Sequence, residues 1–266
     1  MDTEAILETA VHIARRAGEV LRQGWGTVQS VGYKGDIDLV TEWDQASERL
    51  IIAALRQAFP DHFIYAEEGG ESGQAESGWA WLVDPLDGTT NYAHGFPVFA
   101  VSLAALYRGR PDVGVIYDPL RDECFTARRG AGAALNGVPI HVSATDALRR
   151  GLLATGFPYD VWTSAENNLD HFAHFILRAQ GVRRPGAATL DLAYVACGRL
   201  DGFWELKLHA WDVAAGALLV EEAGGRVADA QGHPGLNLSQ ALIPSIVASN
   251  GRIHDEMLAV LALGQC

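Results

Sequence analysis

One stretch of the sequence, WAWLVDPLDGTTNYAHGFP, places two carboxylates at the end of an apolar run. The run from Trp79 to Val83 predicts a buried strand, and Asp84 and Asp87 follow it. Three residues span at most ~10 Å, so the two side chains lie near each other. Carboxylates within ~5 Å of each other repel by about 3 kcal/mol per pair at an effective dielectric constant near 20. A chain that clusters them must therefore protonate some of them or bind cations.

The residue types around these aspartates favour a hard cation next to an anion. Aspartate and backbone oxygens without a nearby Cys or His pattern are typical ligands of Mg²⁺ rather than Zn²⁺. The next residues, Gly88, Thr89 and Thr90, supply unpaired backbone N–H groups at a predicted helix start, which is an anion-binding arrangement. A metal site beside an anion site indicates phosphate chemistry.

Two other interpretations of the motif depend on its spacing. Asp-Pro-Leu occurs again at Asp118 to Leu120, where no Gly-Thr-Thr follows and where we predict a plain turn. The Asp-x-Asp-Gly-Thr motif of the haloacid-dehalogenase phosphatases would place its nucleophile at Pro85. Proline cannot attack phosphorus, so the spacing excludes that motif.

The acidic composition argues against a nucleic-acid surface. The 266 residues contain 20 Lys and Arg against 33 Asp and Glu, a formal net charge of −13, whereas nucleic-acid phosphates need basic residues. Cys124, Cys197 and Cys266 are too few and too widely spaced for a disulfide framework or a zinc site. The N-terminal segment lacks the basic and apolar parts of a signal peptide, and no run reaches the ~18–20 apolar residues of a membrane span. We therefore expect a cytoplasmic protein with no membrane partner.

The order of predicted elements indicates an α/β protein, a layered α+β sandwich. Apolar residues at helical spacing cover 4–22, and Thr41 begins a second helix with a capping box that ends before Pro60. The loop 69–78 is predicted as surface. The further predicted strands are 63–66, 79–83, 98–107, 113–118, 124–129, 152–157, 201–206 and 245–250, and the further predicted helices are 163–180, 187–198, 211–225 and 253–263. We divide the chain into an N-terminal half, 1–145, and a C-terminal half, 146–266.

Four segments resemble the inositol monophosphatase family of Mg²⁺-dependent, lithium-sensitive phosphatases. WLVDPLDGTTNYAHGFP is similar to the first signature of that family, and WDVAAGALLVEEAGG is similar to the second. DLVTEWD and FIYAEEG match its two upstream metal-site segments. The resemblance extends over nearly the whole chain. It implies an αβαβα arrangement, a homodimer, and direct attack of a metal-activated water on a small phosphorylated substrate such as inositol 1-phosphate.

The resemblance also implies roles for individual residues. The implied ligands of two or three Mg²⁺ ions are Glu67, Asp84, the Leu86 carbonyl, Asp87 and Asp212. The implied catalytic residues are Asp44, Thr89 and Glu67. The implied substrate-binding residues are Gly88, Thr89, Ala188, Glu205 and Asp212. Lys34 falls near the mobile-loop lysine of the family. Glu67 and the Asp84–Asp87 motif thus belong to the N-terminal half, and Glu205 and Asp212 to the C-terminal half.

Several of these residues have a structural alternative. Asp44 is also suited to be the third residue of a helix cap, Asp212 to be a helix N-terminal acid favoured by the helix dipole, and Glu205 to be a solvated strand-end acid. The histidines near the motifs, His94 and His209, are predicted to be satisfied polar residues, and His171 and His174 a surface pair rather than a zinc site.

The substrate and the class of function also keep alternatives. Related families with the same metal core cleave fructose 1,6-bisphosphate, 3′-phosphoadenosine phosphate or histidinol phosphate, and Glu205 favours an inositol-type substrate among them because it matches a carboxylate that faces ring hydroxyls. The alternative from a different class is a binding or regulatory protein on the same fold. The complete ligand set and the charge of −13 argue against that as the sole role.

Overall fold

The computed structural model describes residues 2–27, 31–33, 39–72, 77–240 and 242–263. The helices in these ranges are α1 (Thr3–Gly24), α2 (Glu42–Ala58), α3 (Thr89–Ala93), α4 (Leu169–Ile176), α5 (Ala188–Ala196), α6 (Ala210–Glu222) and α7 (His254–Leu261), with a 3₁₀ turn at Leu148–Arg150. The strands are β1 (Val31–Tyr33), β2 (Leu39–Thr41), β3 (Phe63–Ala66), β4 (Gly70–Ser72), β5 (Trp79–Asp87), β6 (Ala100–Tyr107), β7 (Arg110–Asp118), β8 (Glu123–Arg128), β9 (Gly132–Leu135), β10 (Val138–Pro139), β11 (Leu152–Thr155), β12 (Gly181–Arg183), β13 (Gly202–His209), β14 (Arg226–Ala228) and β15 (Leu242–Ser249).

The strands form two large sheets and one small one. The first sheet has the order β10-β9-β8-β7-β6-β5-β3-β4, with β3 and β5 parallel and the other pairs antiparallel. The second has the order β12-β11-β13-β15-β14, with β11 parallel to both of its neighbours and the other pairs antiparallel. Strands β1 and β2 pair antiparallel on their own.

Helices cover both faces of the first sheet. Helices α1 and α2 pack on one face, and α5 and α6 pack on the other. Side chains of β5 follow this division, because Trp81 and Val83 lie in the core with α1 and α2, whereas Leu82 lies in the core with α5 and α6. A strand that is buried on both faces has a continuous apolar sequence, as this part of β5 does.

The second sheet completes the layers. Helices α5 and α6 contact it from one side, and α4 and α7 pack on the other. On that outer side, the Phe175 ring of α4 stacks on the Trp204 ring of β13 with 3.9 Å between the ring centroids. The resulting order of helix, sheet, helix, sheet and helix confirms the predicted αβαβα arrangement. None of the helices in the described ranges is long and apolar enough to cross a bilayer.

Most of the predicted helices are confirmed. Helices α1, α2, α5, α6 and α7 lie within a few residues of their predicted ranges. The capping box of α2 is present, since the Thr41 hydroxyl accepts the Trp43 N–H at 3.2 Å and Asp44 Oδ2 accepts the Thr41 N–H at 2.8 Å. The turn at Asp118 is confirmed as well, because Asp118 Oδ1 accepts the Leu120 N–H at 3.0 Å.

Three local predictions were wrong. The helix predicted at 163–180 is only α4, because Asn168 precedes it with a φ of +72° and its amide donates to the Gly156 carbonyl at 2.6 Å, which holds the preceding residues in a loop. The surface loop 69–78 contains β4, which pairs with β3. The strand predicted to end at Val83 continues to the end of β5. Strands β1, β2, β9, β10, β12 and β14 were not predicted.

Candidate active site

A bulge in β5 brings two aspartates to one face of the first sheet. Between Asp84 and Asp87, β5 has one residue more than the opposing stretch of β6. Residues three apart in a regular strand point to opposite faces, and one inserted residue returns them to the same face. Pro85 lies in the bulge, where its missing N–H costs no ladder bond. The Leu86 N–H donates to Asp84 Oδ1 at 3.0 Å, and both aspartates line the same cavity.

The turn after the bulge requires glycine. Gly88 has a φ of +89°, and a Cβ there would lie 2.8 Å from the Val98 carbonyl oxygen. Helix α3 begins directly after this residue, as predicted for the Gly-Thr-Thr sequence. Asn91 of α3 donates from Nδ2 to the carbonyls of Val98 at 2.8 Å and Pro185 at 2.9 Å. The turn is thereby fixed against the segment that leads into α5.

Thr89 and Asp44 form a buried contact beside this turn. Thr89 Oγ1 lies 2.8 Å from Asp44 Oδ1 and 3.0 Å from the Leu86 carbonyl oxygen. Asp44 Oδ2 accepts the N–H and the hydroxyl of Thr41. Burial raises the pKa of Asp44, and the hydrogen bonds from Thr41 and Thr89 oppose that rise. Asp44 is therefore both the third residue of the α2 cap and the hydrogen-bond partner of Thr89.

Four acidic side chains line one cavity of about 390 Å³: Glu67, Asp84, Asp87 and Asp212. Glu67 follows β3, and Asp212 is the third residue of α6, where its Oδ2 accepts the His209 N–H at 2.7 Å. Burial raises the pKa of Asp84 well above its ordinary value, and the three other carboxylates raise it further. The pKa of Asp212 is raised in the same way, by burial and then by Glu67 and Asp87. The cavity thus concentrates carboxyl groups, which compete for the charged form.

Asp87 differs from the other two aspartates in its hydrogen bonds. Its side chain is partly exposed to the cavity, yet the surrounding protein desolvates it and raises its pKa to about 6. Asp87 Oδ2 accepts the Thr189 N–H at 2.8 Å and the Thr189 hydroxyl at 2.5 Å, and these bonds lower the pKa. Asp84 and Asp212 accept one backbone N–H each. Donors from α5 thus favour the charged form of Asp87.

The donor set fits a hard divalent cation. Carboxylate and backbone carbonyl oxygens are the ligands that Mg²⁺ prefers, and a cation relieves the repulsion that raises the pKa of Asp84 and Asp212. Among the described residues, the charged groups that shift these two pKa values most are carboxylates. Within the described ranges, no three His, Cys, Asp or Glu side chains lie close enough together to coordinate one metal ion as they stand. The fit therefore rests on the ligand chemistry and the shared cavity.

A second pair of carboxyl groups lines the cavity on the side of the second sheet. Glu205 of β13 and Asp191 of α5 are both buried. Burial, and then Asp87, raise the pKa of Glu205 to about 8, whereas Arg184 lowers it. Burial, and then Glu205, raise the pKa of Asp191 well above its ordinary value. The Glu205 carboxylate packs directly on Gly156, where a Cβ would collide with it. Glu205 is therefore not a solvated strand-end acid.

The structure brings the predicted site residues together. The cavity lining includes Glu67, Asp84, Leu86, Asp87, Gly88, Thr89, Ala188, Glu205 and Asp212. Asp44 lies behind the lining and reaches it through Thr89. Lys34 lies outside the described residues, as does the loop 29–38 apart from β1.

The histidines have different surroundings. His209 lines the cavity, and its ring stacks on the Trp211 ring with 4.5 Å between centroids. His94 is exposed, and His171 and His174 are half-buried on α4 rather than an exposed surface pair. None of these last three lines the cavity.

The sequence analysis missed Arg184, Asp191 and Lys207, which line the cavity, and Thr189, which donates to Asp87 from behind the lining. The signal for two of them was present in the segment AATLDLAYVA, where Thr189 and Asp191 interrupt an otherwise apolar helix. A buried helix that carries polar side chains must give them partners. Here the partner of Thr189 is the carboxylate of Asp87.

Known proteins are similar to this chain in sequence and in fold. The model of the inositol monophosphatase family matches residues 2–263. An inositol-1-monophosphatase of Synechocystis sp. is 45% identical over 262 residues, which cover 98% of this chain and 90% of the relative. The Nus factor SuhB of Pseudomonas aeruginosa is 49% identical over 265 residues, which cover 97% of this chain and 96% of the relative. The structure of an inositol monophosphatase from Anabaena (Nostoc) sp. is 44% identical with a TM-score of 0.88, over 98% of this chain and 96% of that one. This chain belongs to the inositol monophosphatase family.

Proposed function

We propose that this chain is a Mg²⁺-dependent phosphomonoesterase that hydrolyses inositol 1-phosphate or a similar small polyol phosphate. The observation that carries the proposal is that four carboxylates from β5, α6 and the end of β3 line one cavity beside the start of α3. Members of the family are metal-dependent and act on small phosphorylated substrates. The relative from Synechocystis sp. is named an inositol-1-monophosphatase.

The residues that would hold two or three Mg²⁺ ions are Glu67, Asp84, Asp87, Asp212 and the Leu86 carbonyl. Bound divalent ions lower the pKa of a water molecule and neutralise phosphoryl oxygens. Hydrolysis of phosphate monoesters is among the slowest uncatalysed reactions, with enhancements that reach ~10²¹. A site for this reaction therefore benefits from the positive charge of bound cations. It needs no Ser or Cys nucleophile because water is the nucleophile.

Thr89 and Asp44 are suited to orient the attacking water. Asp44 Oδ1 accepts the Thr89 hydroxyl proton over 2.8 Å, so the Thr89 oxygen keeps a lone pair for a hydrogen bond from water. Because burial raises the pKa of Asp44, this carboxylate is a stronger base than an ordinary aspartate. By the family resemblance, the backbone N–H groups of Gly88 and Thr89 at the start of α3 would contact the phosphate. The Gly88 N–H also donates to the Asp87 carboxylate.

Glu205 and Ala188 are the residues that would contact the leaving group. A carboxylate accepts hydrogen bonds from ring hydroxyls, and a site built to accept them discriminates strongly against analogues that lack them. Once bound cations favour its charged form, this carboxylate also repels a second phosphate. These properties favour an inositol-type substrate over fructose 1,6-bisphosphate.

A phosphatase screen tests this proposal. Release of inorganic phosphate is measured from inositol 1-phosphate, fructose 1,6-bisphosphate, 3′-phosphoadenosine phosphate, histidinol phosphate and a small featureless phosphate ester, with and without Mg²⁺. We expect hydrolysis only with Mg²⁺, and the highest kcat/KM for inositol 1-phosphate. A preference for fructose 1,6-bisphosphate would overturn the inositol assignment alone. Absence of hydrolysis of every ester would overturn the phosphatase assignment as well.

The family resemblance further supports a cytoplasmic homodimer with two halves, 1–145 and 146–266. The two large sheets lie on either side of this division, since one consists of β3 to β10 and the other of β11 to β15. Light scattering after gel filtration tests the dimer, for which we expect twice the chain mass of 28.6 kDa. A peak at the single chain mass would contradict it.

A second candidate function is regulatory, because the 49% identical relative from Pseudomonas aeruginosa is named a Nus factor. A role of that kind does not need turnover. It would survive in cells that carry Asp84→Asn in place of the natural chain, whereas a purely catalytic role would be lost with the phosphatase activity.

A further inference from the structure

The start of α5 is held by a residue of a different element. The residue before the helix is Ala187, whose side chain cannot accept a hydrogen bond, and no side chain of its own segment caps α5. The first N–H groups of a helix have no acceptor within the helix. Asp87 of β5 supplies one, since its Oδ2 accepts the Thr189 N–H at 2.8 Å. Asp87 therefore acts toward the second residue of α5 as an N-cap side chain normally does.

Thr189 adds a second donor to the same oxygen. Its hydroxyl lies 2.5 Å from Asp87 Oδ2, and the residue itself is fully buried. Two donors from one residue fix the plane and direction of a carboxylate better than one, because rotation about the side-chain bonds would break both bonds. The β-branched side chain of threonine also has restricted rotamers, so the hydroxyl is held where the carboxylate meets it.

We infer that Thr189 is a positioning residue for the proposed metal site: its N–H and hydroxyl hold the Asp87 carboxylate in a fixed orientation toward the cavity. This inference rests on the proposed function, in which Asp87 binds the cation. Partners that orient a metal ligand typically contribute 10–100-fold to metal affinity. The neighbouring residue, Ala188, lines the cavity at the proposed substrate position, so one helix start holds a metal ligand and contacts the substrate.

The test measures metal binding without turnover. Thr189→Val removes the hydroxyl and keeps the shape and the N–H, whereas Thr189→Ser keeps the hydroxyl. Thr126→Val is the matched control, since Thr126 lies on β8 and its hydroxyl has only a 3.5 Å contact with the Ala134 carbonyl. Mg²⁺ is titrated into each metal-free protein in a calorimeter, and circular dichroism records folding. Thr189→Ala serves as a second hydroxyl deletion if the valine variant does not fold.

We expect the Kd for Mg²⁺ to rise about tenfold or more in Thr189→Val and to stay within about threefold of the natural value in Thr189→Ser and Thr126→Val. An unchanged Kd in a folded Thr189→Val or Thr189→Ala variant would overturn the inference. Reduced thermal stability with an unchanged Kd would assign Thr189 a structural role only and would overturn it too. If the natural protein itself binds no Mg²⁺, the proposed function fails, which is a distinct result.

Discussion

Replacing Glu205 with glutamine should stabilise the metal-free fold and weaken substrate recognition. Burial, and then Asp87, raise the pKa of Glu205 from 4.5 to about 8. Below pH ~4 the Glu205 carboxyl is protonated in the folded and in the unfolded chain, so its burial has no pH-dependent effect on stability there. Between pH ~4.5 and ~8 it ionises more readily in the unfolded chain, and stability falls as the pH rises. At about 1.4 kcal/mol per pH unit, the cost at pH ~7 is about 3 kcal/mol.

Urea unfolding of the metal-free natural protein and Glu205→Gln at two pH values measures this effect. We expect the variant to be more stable by about 3 kcal/mol near pH 7 and by less than about 0.5 kcal/mol near pH 4. Glu166→Gln is the matched control, because Glu166 is exposed, and it should change stability by less than about 0.5 kcal/mol at either pH.

The same variant should lose activity toward a hydroxyl-bearing substrate. For inositol 1-phosphate, we expect the ratio of kcat/KM values to show a loss of about 1–2 kcal/mol of transition-state stabilisation. For a small featureless ester, kcat/KM should stay nearly unchanged. Equal losses for both substrates would make Glu205 structural. A stability difference that is the same near pH 4 and pH 7 would refute the argument from burial.

Three further results are expected. Gly88→Ala should lower the free energy of unfolding by about 2–4 kcal/mol, because Gly88 has a φ of +89° and the new Cβ would lie 2.8 Å from the Val98 carbonyl oxygen. The control Gly95→Ala, with a φ of +70° and open space around it, should cost only about 1 kcal/mol in the same urea assay. Equal losses in the two variants would contradict the steric argument. Thr41→Ala should cost about 1 kcal/mol of stability and also lower kcat, because it removes the hydroxyl that holds the Asp44 carboxylate. An unchanged kcat would show that this cap contact does not contribute to catalysis. The family resemblance implies that Li⁺ is an uncompetitive inhibitor, and K⁺ at equal ionic strength is the control salt. Equal rates in the two salts would contradict this expectation.

The grouping of the four carboxylates could be predicted from the sequence because they lie in short segments that resemble the motifs of the family. Each of Glu67, Asp84, Asp87 and Asp212 follows or interrupts an apolar run, and the structure places all four on one cavity. The layer order was also predictable, since alternating helical and strand patterns leave few arrangements that bury every apolar face.

The bulge in β5 could not be predicted. The apolar pattern ends at Val83, yet the strand continues through Asp84, Pro85 and Leu86. Burial of this segment depends on α2, since the Ser47 hydroxyl donates to the Pro85 carbonyl at 2.9 Å. The contact of Thr189 with Asp87 was equally out of reach, because it joins residues that lie 102 positions apart.

The two Asp-Pro-Leu segments show what local sequence leaves undetermined. Asp84 and Asp118 make the same local contact, since the Oδ1 of each accepts the N–H of the residue two positions on, at 3.0 Å. They differ in their tertiary partners. Asp118 pairs with Arg121 at 2.8 Å, whereas the charged neighbours that raise the pKa of Asp84 within the described ranges are carboxylates. The charge around each aspartate, set by distant segments, decides between a turn and a candidate metal ligand.

Phosphate release by Asp84→Asn tests whether the carboxylates of the cavity hold catalytic Mg²⁺. The natural protein, Asp84→Asn and the control Asp118→Asn, which alters the other Asp-Pro-Leu segment, are assayed on inositol 1-phosphate across a Mg²⁺ titration and in EDTA. We expect no activity in EDTA, a kcat lowered by at least ~10³ in Asp84→Asn, and a kcat within a few-fold of the natural value in folded Asp118→Asn. Substantial turnover by Asp84→Asn, or full activity of the natural protein in EDTA, would contradict it.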